Sequence, residues 1–170
     1  MWQVSHTLFW IPLYILLLFV LFQKLEVKKC IFCLILLILL IITTDQLGST
    51  VIRPLIGRLR PSSPMDPISQ VLHFVNDYRG GTFGFPSSHA ANTFALTTFM
   101  SFILKSNWVR YGMLIWALLV TSSRIYLGVH YPTDIIAGAF LGIVLGYNFS
   151  LLFKWLPGLA SFSFINNYRK

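Results

Sequence analysis

Charge is what this sequence has least of. Only 11% of its 170 residues are Asp, Glu, Lys or Arg, against 56% hydrophobic, a balance that excludes an ordinary soluble domain. Soluble segments, internal repeats and low-complexity tracts are also missing once the apolar runs are set aside. The ten residues from Met1 to Trp10 lack a basic side chain, and no small-residue cleavage site precedes "QKLEVKK". The first apolar run therefore reads as a retained span and not as a cleaved leader. Cysteine is limited to Cys30 and Cys33 in "CIFC"; the spacing is that of a redox motif, but inside an apolar helix thiols act as small hydrophobes. The four histidines include no tightly spaced pair, so a metal centre on His89, His130 and Asp134 is set aside and no cofactor is expected.

What remains is five apolar segments, 7–22, 30–49, 90–104, 108–122 and 133–153. They predict an all-α, polytopic membrane helical bundle with about five transmembrane helices. A single membrane-embedded domain over 1–170 is expected, with one interfacial loop, 50–88, between the second and third spans. With five spans, Lys24, Lys28, Lys29, Lys105, Arg110, Lys154, Arg169 and Lys170 share one side. The positive-inside rule makes that side cytoplasmic. Arg53, Arg58, Arg60, Arg79 and Arg124 fall on the other side, where no lysine accompanies them. Part of the net charge of +8 is ordinary attraction to anionic headgroups. A far side carrying arginine alone calls for something more, because the planar guanidinium fork matches phosphate oxygens.

Three polar islands lie on that side. "RPLIGRLRP" runs from Arg53 to Pro61 and "FPSSHA" opens the third span. The first alone is consistent with a juxtamembrane basic cluster, and the serines of the second with helix N-caps. A helix N-terminus also binds anions, and His89 stands in its first turn. The third island, "SSRIYLGVHYPTD", runs from Ser122 to Asp134. His130 and Asp134 lie four apart around Pro132, so the carboxylate can orient one imidazole nitrogen and leave the other to attack.

Together the islands resemble the three-part signature of the type 2 phosphatidic acid phosphatase superfamily. "RPLIGRLRP", "PSSH" and "SRIYLGVHYPTD" follow the family order and internal spacing across 53–134. Arg53 stands where the family usually has lysine and Ser88 where it usually has glycine. The first departure keeps a cation and is expected to be mild; the second places a side chain where backbone would approach the phosphate. Family members commonly have six helices, so a sixth is possible. The resemblance implies that His130 is a nucleophile forming a phosphohistidine, oriented by Asp134, with His89 as general acid and base. Arg53, Arg60, Ser87, Ser88 and Arg124 would bind the phosphate.

The expected function is a metal-independent lipid phosphate or diphosphate phosphatase in a bacterial inner membrane, its site facing the extracytoplasmic side. Undecaprenyl diphosphate is the first guess for substrate; lipid A and phosphatidylglycerophosphate are alternatives. A non-catalytic lipid-phosphate binder or flippase would use the cations alone, and an intramembrane serine protease would leave them without a role. The partners expected are the lipid substrate and the bilayer, not nucleic acid. Gly138, Gly142 and Gly146 make small-residue steps on the last span, suited to packing within the chain or to a homodimer. Asp45, deep in the second span, is expected to find a structural hydrogen bond.

Overall fold

In hydrocarbon a backbone must satisfy its own N–H and C=O groups, so long apolar runs become helices. The computed structural model describes residues 1–155, and these are all-α apart from an isolated bridge between Leu59 and Phe83. A short helix α1 (Trp2–Ser5) and a 3-10 turn (Thr7–Trp10) lead into α2 (Ile11–Lys24). Next comes α3 (Val27–Gln46), extended through a π-type stretch (Leu47–Ile52) into α4 (Arg53–Ile56). A long loop then precedes α5 (Ser88–Leu104), α6 (Asn107–Tyr126) and α7 (Pro132–Trp155).

Each apolar segment of the sequence falls within one of these helical stretches. Three of them, Thr7–Lys24, Val27–Ile56 and Pro132–Trp155, are long and apolar enough to cross a membrane. The two others, α5 and α6, have 17 and 20 residues, about 25 and 30 Å of helix. Leu36, Leu40, Phe99, Met100, Trp116 and Ala117 fill the interior together with the free thiols of Cys30 and Cys33. The outer surface is apolar too, with Leu8, Phe19, Trp108 and Phe140 all well exposed, as a lipid-facing surface should be. The lysines of the α2–α3 turn, Lys105, Arg110 and Lys154 lie at one end, and Arg53, Arg58, Arg60, Arg79 and Arg124 at the other. Arg169 and Lys170 lie outside the described residues.

Two of the helices meet with almost no side chain between them. A Cβ on Gly142 would stand 2.2 Å from the Ala91 carbonyl oxygen, and one on Gly146 would stand 2.5 Å from that of Ala95. The glycine face of α7 is therefore packed by α5 of the same chain, the within-chain reading of its spacing. The starts of the two helices are also tied, since the Ser87 N–H donates to the Asp134 carbonyl at 3.0 Å. Asp45 departs from expectation: its carbonyl accepts from the Ser49 hydroxyl at 2.6 Å, and its carboxylate has no hydrogen bond among the described residues.

The loop before α5 is folded back on itself. Gly57, at φ +61, ends α4 in the left-handed region that glycine adopts without strain. The chain then returns so that the Arg60 N–H reaches the Thr82 carbonyl at 3.0 Å and the Gly84 N–H reaches that of Arg58 at 2.9 Å. This pairing lays "RLR" beside "GGTFG" over the end of the bundle.

Candidate active site

His130 sits in the turn between α6 and α7, made by Gly128 at φ +67. It is 3% exposed, and Asp134, in the first turn of α7, is fully buried. Asp134 Oδ2 accepts the Tyr131 N–H at 2.9 Å and lies 3.5 Å from His130 Nδ1, a little beyond a formed hydrogen bond. Its other oxygen faces Arg58 Nη1 at 3.1 Å. On the far side of the ring, Arg60 Nη1 stands 3.0 Å from Nε2. A guanidinium can only donate, so Nε2 accepts and the ring proton belongs on Nδ1, toward Asp134. Burial is the main force holding His130 down to about 4, with Asp134 opposing and Arg60 and Arg124 adding. The imidazole is therefore neutral at ordinary pH, with a lone pair on Nε2.

The arginines are held by backbone and hydroxyl groups. Arg60 Nε donates to the Phe83 carbonyl at 2.9 Å. Burial and then Arg53 and Arg124 lower its pKa to about 10, which still leaves it a cation at neutral pH. Little room is left beside it: a Cβ on Gly84 would lie 2.9 Å from Arg60 Cγ, and one on Gly80 3.1 Å from Nη1. Arg124 donates to the Ser5 hydroxyl and, at 3.2 Å, to that of Tyr78. Arg53 donates to Ser88 Oγ at 2.9 Å and to the Pro86 carbonyl at 3.3 Å. The Nε groups of Arg53 and Arg124 are buried with no acceptor among the described residues. Five guanidinium groups, those of Arg53, Arg58, Arg60, Arg79 and Arg124, share this end with Asp134 as the inner carboxylate, while Asp66 accepts from the Tyr131 hydroxyl at 2.9 Å. Cations so crowded, with unfilled donors, favour an added anion.

The start of α5 completes the group. Ser87 Oγ accepts from the Ala90 N–H at 3.4 Å, so this serine acts as a helix cap, and Ser88 serves Arg53. His89 stands one residue further on, in the positive field of Arg124 and Arg60. All eight residues expected at the site thus gather at one end of the bundle. The motifs did not reveal three neighbours. Arg58 pairs with Asp134, and Tyr78 and Ser5 hold Arg124. Arg58 appears in the sequence as the middle arginine of "RPLIGRLRP" and one of the five on the lysine-free side, with no site role attached. Ser123 donates to the Val120 carbonyl at 2.6 Å, a support within the helix. Among the described residues no three His, Cys, Asp or Glu side chains gather as a metal site requires.

Such a protein is a membrane helical bundle with arginines gathered near two histidines at one end. A family model, the PAP2 superfamily, matches residues 28–157, and the chain belongs to that family. Lipid A 4'-phosphatase of Bacteroides thetaiotaomicron is 40% identical over 133 residues, 78% of this chain and 59% of that protein. Lipid A 4'-phosphatase of Porphyromonas gingivalis is 39% identical over 140 residues, 81% and 58% of the respective chains. The chain thus spans somewhat under two thirds of the length of these relatives. A solved structure, the transmembrane PAP2 type phosphatidylglycerolphosphate phosphatase from Bacillus subtilis, superposes with a TM-score of 0.61 at 25% identity. That match covers 87% of this chain and 70% of the other.

Proposed function

We propose that the protein is a membrane phosphatase that hydrolyses a lipid phosphate monoester, with a lipid A 4'-phosphate as first candidate. The observation that carries the reading is the Arg60 donor 3.0 Å from His130 Nε2. It marks Nε2 as the free lone pair and puts a cation where phosphoryl oxygens would lie. On binding, Arg60 turns from the ring to the phosphate and Nε2 attacks phosphorus. The N–P bond forms as the bond to the leaving oxygen breaks, and His89, protonated as the anionic phosphate enters beside it, gives that proton to the oxygen. Asp134 stabilises the imidazolium character that develops on His130. Water then yields a proton to His89 and attacks phosphorus; the N–P bond breaks and inorganic phosphate leaves. Arg53, Arg60 and Arg124 hold the oxygens through both steps, with Ser88 acting through Arg53 and Ser87 through the start of α5.

Among substrates, undecaprenyl diphosphate gives way to the alternative. Two relatives at 39% and 40% identity carry the name lipid A 4'-phosphatase, which favours a monoester on a lipid saccharide. Lysine-rich turns at the opposite end support a site on the extracytoplasmic face of a bacterial inner membrane. The test is phosphate release by purified protein in detergent with EDTA, on a lipid A 4'-phosphate, phosphatidylglycerophosphate, phosphatidic acid and undecaprenyl diphosphate, beside His130→Ala. Release that persists with chelator and vanishes in the variant supports the mechanism. Folded protein that binds these lipids and releases nothing would mean a binder or flippase.

A further inference from the structure

A cavity of about 510 Å³ runs into the bundle between α2, α3, α5 and α6, within the size range of small-molecule sites. Its polar lining, including Ser5, Thr7, His89 and Asn92, lies at the arginine end, and apolar side chains such as Leu34, Leu96 and Met100 continue it inward. His89 and Met100 are eleven residues apart on α5, a rise of about 16 Å. That is about half of a hydrocarbon core of ~30 Å, or one leaflet.

We infer that this cavity seats one unbranched acyl or alkyl tail of the leaving group and sets the tail length the protein prefers. The inference rests on the phosphatase reading, because His89 protonates the leaving oxygen and the cavity starts at His89. A tail carried by the leaving group passes the polar lining first and then runs down the apolar wall. Its length is bounded by how far the wall extends. Burial from water cannot drive this selectivity, since lipid around the protein is already apolar; shape and depth must do so. On the side that α2 supplies, only Leu17 and Leu21 of that helix are fully buried, and that is the side from which a tail would enter from the bilayer.

The wall residues Ile41 and Leu34 lie on α3, which runs opposite to α5, so Ile41 is nearer the arginine end. Gly48, in the π-type stretch that continues α3, marks that end, its added Cβ falling 4.0 Å from Ser88 Oγ. Ile41 is then about 10 Å down and Leu34 about 21 Å. The test measures phosphate release from butyl, dodecyl and hexadecyl phosphate in detergent. Leu34→Trp should lower kcat/KM at least fivefold for the hexadecyl ester alone, and Ile41→Trp for the dodecyl ester as well. Butyl phosphate should change less than twofold in both, which also shows that the variants fold. Unchanged length profiles in both would overturn the inference. Unaltered protein gives a second measurement, using hexadecyl phosphate with a diazirine at the tail end. Labelling of Leu96 to Met100 supports the assignment, and labelling confined to the outer face around Phe140 overturns it. If the unaltered protein releases no phosphate from any ester, or if release survives His130→Ala, the phosphatase reading itself fails and takes this inference with it.

Discussion

Arg53 and Ser88 are the two positions where the chain departs from the signature, and they touch each other. Arg53 Nη2 donates to Ser88 Oγ at 2.9 Å and to the Pro86 carbonyl at 3.3 Å. A lysine has one compact ammonium in place of the fork, and a glycine has no hydroxyl, so either change alone breaks the pair. Both residues are half-buried, so the low end of the range for a hydrogen bond to a charged group applies, about 1.5 kcal/mol. That corresponds to about tenfold in kcat/KM. Arg53→Lys and Ser88→Gly should therefore each lower kcat/KM for phosphate release about tenfold, a larger cost than the sequence suggests for Arg53→Lys. If the two changes act on one contact, the double variant should fall about tenfold in total and not about a hundredfold, a coupling of about 1.5 kcal/mol. The assay is initial-rate phosphate release by the four proteins in one detergent, with thermal melts to confirm equal folding. A double variant near a hundredfold down, additive within about 0.5 kcal/mol, would refute the pairing as a functional unit.

Three further outcomes follow from the geometry. His89→Ala should lower phosphate release by about 10² to 10⁴, the range for losing a general acid, while His130→Ala should lose it altogether; equal, mild effects would contradict the assigned roles. The pKa of His130, held down to about 4 mainly by burial, lies below its value of about 6.5 in an unfolded chain. Its contribution to stability is thus complete above about pH 6.5 and is lost as pH falls toward 4, by about 3 kcal/mol at most. The melting temperature in detergent should drop across that window in the parent and less in His130→Asn, and parallel curves would mean that another group causes the drop. Gly142→Ala, whose Cβ would fall 2.2 Å from the Ala91 carbonyl oxygen, should destabilise the fold by about 1–3 kcal/mol. A variant that melts normally but changes oligomeric state would return the glycine face to a dimer.

How much the sequence revealed depends on the distance over which each contact acts. His130 and Asp134 are four apart and His89 is one residue past the Ser87 and Ser88 pair, so local spacing singles them out as candidates. Tyr78 and Ser5 meet Arg124 from 46 and 119 residues away, and no spacing within a motif encodes that. The second span ran past its expected end because Pro54 in the first turn of α4 does not interrupt a helix there. Small-residue steps on the last span showed that something approaches closely, without showing which helix. That ambiguity bears directly on the site. Gly138 lies one turn after Asp134, and a Cβ there would fall 2.4 Å from the Ser87 carbonyl oxygen, two residues before His89. The close contact of α5 with α7 therefore sets how near His89 comes to His130. His130 and His89 start from separate polar islands, and the same glycines that look like an oligomer motif hold those islands together.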